Sequence, residues 1–210
     1  MRALELPVGD AADVTGEEST WPDGQLLIRA RSDPAAFSRL YRRHYDGIFR
    51  YCLHRLFDRA AAEDATSAVF LRMLERLDRF SGDEELDLRN WLLAIATNLI
   101  NDQCRRRRLW ERFLKLQGRP SAAHRQPPEH SPEADERLAH LQKAIRGLKP
   151  REQALITLRF FEDLDIQQIA QALGGSPATV RSQLSRALRR LRRRLETPES
   201  DSSTKVSNHV

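Results

Sequence analysis

Residues 173–195, LGGSPATVRSQLSRALRRLRRRL, hold seven arginines and no acidic residue. With the segment before them they have the spacing of a helix-turn-helix. Ile169, Ala170 and Leu173 fall on one face of a first helix, Gly174 sits at the turn, and Val180 and Leu184 recur at helical spacing on a second. A small residue at Ala170 permits close crossing, a glycine tolerates positive φ, and Ser176-Pro177 is a strong N-cap and first-turn pair. Gly175 stands where such turns usually carry an inward apolar residue. A recognition helix offers its N-terminal side chains to base edges. Here these are Ser176, Pro177, Ala178, Thr179, Arg181, Ser182, Ser185 and Arg186, with Arg189 and Arg193 further along toward phosphates. The competing reading is a solvated basic face on a helical hairpin.

The chain upstream also reads as helical. In 210 residues, 40% are hydrophobic and 31% charged, which suits small, surface-rich units with real cores. Asp33 and Pro34 open a helix carrying Phe37, Leu40, Tyr41, Ile48, Cys52 and Leu56. A second is expected from Asp58 to about Phe80-Ser81-Gly82, with Ala62, Ala65, Val69, Met73 and Leu77 as its stripe. After an acidic loop, Trp91, Leu92, Ile95, Ala96, Leu99 and Ile100 mark a third, which runs into Arg105, Arg106, Arg107 and Arg108. Trp91 lies in that stripe and is expected to pack in the core. Further on, Leu138, Leu141, Ile145 and Leu148 form one helix and Leu155, Leu158 and Phe161 another.

The fold class is therefore all-α: two small helical domains, the first of three to four helices and the second a four-helix unit with the helix-turn-helix, joined by a flexible linker. The expected boundaries are a flexible acidic leader over 1–31, a first domain over 32–112, a Pro-, Ser- and His-rich linker over 113–134, a second domain over 135–196 and a polar tail over 197–210.

The net charge of +5 is unevenly spread. Glu5, Asp10, Asp13, Glu17, Glu18 and Asp23 make the start acidic, while arginines gather at 105–108 and 181–194, so a polyanion is the first partner to consider. Cys52 and Cys104 read as small hydrophobes in a reducing compartment rather than as a disulfide. No signal pattern or long apolar run is present, so a cytoplasmic location is expected. His124 and His130 lack the partners of a metal site, and no cofactor or metal is expected.

Two separated stretches resemble the sigma-70 family of bacterial RNA polymerase sigma factors, specifically its small extracytoplasmic function (ECF) group. Residues 148–195, LKPREQALITLRFFEDLDIQQIAQALGGSPATVRSQLSRALRRLRRRL, look like region 4, which binds the -35 promoter element. DPAAFSRLYRRHYDGIFRYCLHRLFDRAAAEDATSAVFLRMLERLDRF, followed by WLLAIATNLINDQCRRRR, looks like region 2, which holds the polymerase core and opens the -10 element. The resemblance implies -10 contacts from Phe80, Ser81, Gly82, Asn98, Arg105 and Arg106. It implies core-polymerase contacts from Asp64, Ser67, Ala68, Phe70, Leu71 and Arg72. Ser67 and Ala68 stand where the family usually has Gln and Glu, and the acidic loop before Trp91 is about two residues long for the family. The implied partners are RNA polymerase core, promoter DNA and an anti-sigma factor.

Catalysis is not expected. Glu63 and Asp64 are adjacent on a helix and point roughly 100° apart, so they do not converge on one atom, and no P-loop, HExxH or GxSxG motif is present. The alternative to a promoter-specificity subunit is a stand-alone helix-turn-helix regulator, which would explain the C-terminal helices but not the N-terminal three.

Overall fold

The computed structural model describes residues 21–77, 88–116 and 132–196. Among them are eight helices: α1 (Asp23–Arg29), α2 (Pro34–Leu56), α3 (Arg59–Leu74), α4 (Leu88–Leu116), α5 (Pro132–Arg146), α6 (Pro150–Phe160), α7 (Ile166–Leu173) and α8 (Pro177–Glu196). The sequence dictates where several begin. Asp33 accepts from the Ala35 amide and Asp58 from the Ala61 amide, each at 2.8 Å, and Pro34 occupies the first turn of α2.

Helices α2, α3 and α4 pack around Leu40, Ile48, Tyr51, Val69, Met73, Leu92 and Ile100, all at most 1% exposed. Inside this core the Tyr51 hydroxyl lies 2.5 Å from Thr97 Oγ1, which itself donates to the Leu93 carbonyl, so both hydroxyls are satisfied. Trp91 is half-buried against the same core.

Four expectations need correction. The end of the acidic leader is not loose: α1 lies within it and buries Leu26 and Leu27 completely against α2. Two adjacent leucines in a seven-residue helix are too few to show a period. The second helix stops at Leu74 rather than near Gly82, although Leu77 is still buried. Phe80, Ser81 and Gly82 lie outside the described residues. Helix α4 continues to Leu116, past the expected boundary at 112, and α5 begins at Pro132, inside the stretch expected to be linker. Finally, Leu138 is 51% exposed and Phe161 39%, so neither belongs to the core that the stripes suggested.

The two halves touch through α2, α4, α6 and α7. Arg55, only 3% exposed, donates from Nη1 to Gln153 Oε1 (3.1 Å) and from Nη2 to Asn101 Oδ1 (2.8 Å), tying three helices together. Arg89 Nη2 donates to Glu162 Oε2 at 2.6 Å, and the Glu162 side chain is fully buried with its other oxygen unpartnered. His54 packs on Phe161 with ring centroids 4.4 Å apart, and burial pushes its pKa down.

Burial raises the Glu162 pKa above its ordinary value of 4.5, with Arg89 opposing that rise. Between 4.5 and the raised value the folded state binds the proton more readily, so this group's stability contribution is lost as pH rises. Removing Arg89 raises the folded value further. Arg89→Ala is therefore expected to cost about 2 kcal/mol at pH 7, less than a fully buried pair would because Arg89 is partly solvated. That loss shrinks toward pH 4.5, as urea denaturation at the two pH values would register.

Candidate nucleic-acid interface

The C-terminal half assembles its surface from four short helices. Lys149 precedes Pro150, and its amide donates to Glu152 Oε2 (3.0 Å), closing the start of α6. Asp165 caps α7 by accepting from the Gln167 and Gln168 amides, while Gln168 Oε1 accepts from the Asp165 amide. Helix α7 ends at Gly174, whose φ of 64° places it in the left-handed region, and the Gly175 amide closes the turn onto the Ala170 carbonyl at 2.8 Å. Ser176 Oγ then accepts from the Thr179 amide at 3.2 Å to start α8. Val180, Leu184 and Ala187 hold α8 against α6 and α7.

This seating sorts the seven arginines. Arg190 Nη1 donates to Glu152 Oε1 at 2.6 Å, and Arg194 lies directly over Gly147, so both face back into the domain. Arg181, Arg186, Arg189, Arg192 and Arg193 are exposed, and the last four crowd one open face. Ala178, Thr179, Ser182 and Ser185 are exposed beside them, and Pro177 is half-buried. Arg186 is folded along the helix, with Nη2 3.1 Å from Ser182 Oγ. The outward face of α8 thus carries cations interleaved with small hydroxyl side chains, a surface that can meet phosphates and base edges in a major groove.

On the N-terminal half, Asn98, Arg105 and Arg106 are exposed on α4, and Arg105 is paired with Asp102. On α3, Asp64, Ser67, Leu71 and Arg72 are exposed, with Leu71 at 60%, and Ala68 is half-buried. Ser67 Oγ donates to the Glu63 carbonyl, and Arg72 pairs with Glu75. Phe70 does not join this row. It is 2% exposed with its ring centroid 4.7 Å from that of Tyr41, so it is core rather than contact surface. The sequence reading also missed Leu109, Trp110 and Phe113 beyond the arginine run; all are exposed, with the two rings stacked 5.6 Å apart. Their spacing of three and four residues is the available signal, but it straddles the expected domain boundary at 112, so no stripe is drawn across it.

Residues 40–109 match the family model of sigma-70 region 2, and residues 138–191 that of sigma-70 region 4. An all-helical chain with region 2 ahead of a helix-turn-helix region 4 is of the sigma-70 class. Two curated relatives narrow this. SigE of Mycolicibacterium smegmatis, an ECF RNA polymerase sigma factor, is 31% identical over 195 residues, covering 89% of this chain and 73% of that protein. BldN of Streptomyces coelicolor, also an ECF RNA polymerase sigma factor, is 33% identical over 172 residues, covering 81% of this chain and 65% of BldN. The chain belongs to the ECF sigma factors of the sigma-70 family. Its fold is shared with the sigma factor RpoE, solved with the anti-sigma factor NepR from Bartonella quintana (TM-score 0.56, 21% identity, 77% of this chain and 97% of that one). It is also shared with CnrH, solved with the cytosolic domain of CnrY (TM-score 0.59, 20% identity, 81% and 95%).

The two turn glycines differ in what they require. A Cβ at Gly174 meets nothing within 4 Å, so Gly174→Ala bears only the left-handed backbone cost of about 1 kcal/mol. A Cβ at Gly175 meets only Arg151 Nη2 at 3.7 Å, so Gly175→Ala is expected to leave the thermal midpoint unchanged. Equal losses in the two variants would contradict this account of the turn.

Proposed function

We propose that this chain directs RNA polymerase core to specific promoters and helps open the DNA for initiation. The observation that carries the reading is the outward face of α8, where Arg181, Ser182, Ser185, Arg186 and Arg189 stand exposed on a helix-turn-helix that shares its chain with a region 2 fold. In this reading residues 32–112 and 135–196 act as two units joined by 113–134. The second reads the -35 element through Ser176, Pro177, Ala178, Thr179 and those five residues. The first engages the -10 element through Phe80, Ser81, Gly82, Asn98, Arg105 and Arg106, and grips polymerase through Asp64, Ser67, Ala68, Leu71 and Arg72.

The division follows from the chemistry. Arginine forks near the start of α8 suit bidentate recognition of guanine, while Arg192, two turns beyond Ser185, suits phosphate. Opening a duplex exposes unstacked bases, and a polar surface such as that around Asn98 offsets part of that cost. The action is binding and positioning rather than catalysis, and the place of action is the cytoplasm, with polymerase. Among the described residues no helix is long and apolar enough to cross a membrane. An anti-sigma partner is part of the same reading, supported by the sigma factor RpoE, of the same fold, having been solved with the anti-sigma factor NepR.

Adding the chain to core polymerase and mapping transcript starts on genomic DNA tests the reading; starts unaltered by the chain would overturn it. Arg186→Ala is expected to weaken -35 recognition by about 1–3 kcal/mol and relax sequence preference at one position. Arg192→Ala is expected to weaken all DNA binding alike and lower the salt slope by about one. Binding titrations on matched and scrambled promoters at several salt concentrations separate the two.

A further inference from the structure

Where the halves meet, a cleft of about 270 Å³ opens between the end of α2, the middle of α4 and the α5–α6 corner. That is room for roughly nine waters. Its walls carry four guanidiniums, Arg55, Arg107, Arg108 and Arg146, against a single carboxylate, Asp58. Asp58 is already engaged in capping α3. Two of the cations are held rigidly. Arg55 is 97% buried by its 3% exposure and fixed by Gln153 and Asn101, and Arg146 lies over the Phe57 ring and donates to the Phe57 carbonyl. Each nevertheless keeps a buried Nε with no hydrogen-bond partner. A buried donor left in that state costs about 1–3 kcal/mol, so two at one cleft point to something that satisfies them. The backbone is strained at the same place, since Phe57 adopts φ 54°, which bulky residues rarely do.

We propose that this cleft binds a small phosphate-bearing anion, of the diphosphate class, separate from the promoter-reading surfaces. A guanidinium presents forked donors that match phosphate oxygens, and several converging on one recess suit a multiply charged ligand better than a monocarboxylate. The recess is set back between helices, which favours a compact ligand over a DNA backbone running along a surface. Arg55, Arg107 and Arg108 come from the N-terminal half and Arg146 from the C-terminal half, so a bound anion bridges the two and favours their packed arrangement. Anion binding at this cleft is measured on the isolated protein and is independent of promoter recognition.

Cys104 lines the cleft and reports on it. Cys52 does not interfere, being fully buried with its thiol pushed up to about 11. In the full-length protein at constant ionic strength, pyrophosphate is expected to slow maleimide labelling of Cys104 saturably and to release a matching heat of binding. Arg107→Gln and, separately, Arg108→Gln are each expected to weaken that binding about tenfold, as loss of one charge-assisted contact does. Arg59→Gln, on the outer face of α3, is expected to leave it unchanged. Slowing by chloride alone at the same ionic strength would overturn the proposal. So would equal binding in both cleft variants, or protection of Cys104 by short DNA but not by pyrophosphate.

Discussion

A single buried guanidinium organises the junction of this molecule. Arg55 emerges near the end of α2, beneath almost complete cover, and its two terminal nitrogens are consumed by Asn101 on α4 and Gln153 on α6. Gln153 in turn donates to the carbonyls of Arg146 and Leu148, which fixes the corner between α5 and α6. A charge this deep is tolerated only when hydrogen-bonded, so the neighbours of Arg55 are constrained along with it. The Arg89–Glu162 pair and the His54–Phe161 contact are consistent with that placement, being further links between the same halves. The halves thus meet through hydrogen-bonded polar groups as well as through one continuous apolar core.

The same logic divides α8. Its arginines look alike as letters, yet their surroundings give them two occupations. Those at 190 and 194 turn toward α6 and the α5–α6 corner, where Glu152 and the bare backbone of Gly147 receive them. Arg181, Arg186, Arg189 and Arg192 stand exposed on the outward side, where an anionic partner can reach them. A helix that must lie in a groove while docking on its own domain needs cations on both sides, and the heptad-like spacing of Val180, Leu184, Ala187 and Leu191 sets which side is which.

Much of this was readable from the chain. The helix-turn-helix was, because cap, glycine and apolar spacing all act locally: Gly174 takes the left-handed φ that its position demanded, and Ser176 starts α8. The helical core of the first half was legible for the same reason of period. What escaped was non-local or too short to show a period. Helix α1 carries only the run Leu26, Leu27 and Ile28, and the burial of its two leucines depends on α2 being there to receive them. The resemblance implies a polymerase contact at Phe70, but Tyr41 on another helix covers it. Arg55 is the clearest case, since nothing about an arginine near a helix end says that it will be buried or that its partner stands 98 residues away.

That separation also bears on the order in which the molecule takes shape. Asp23 finds Arg43 and His44 only about twenty positions downstream, so the clip that α1 forms on α2 closes over a short loop. The junction around Arg55 must wait for a much longer stretch of chain to be made. During synthesis the N-terminal helices can therefore settle while the arginine-rich end is still inside the ribosome, and the halves meet last. Fidelity of assembly then rests on the late partner arriving at a surface already finished.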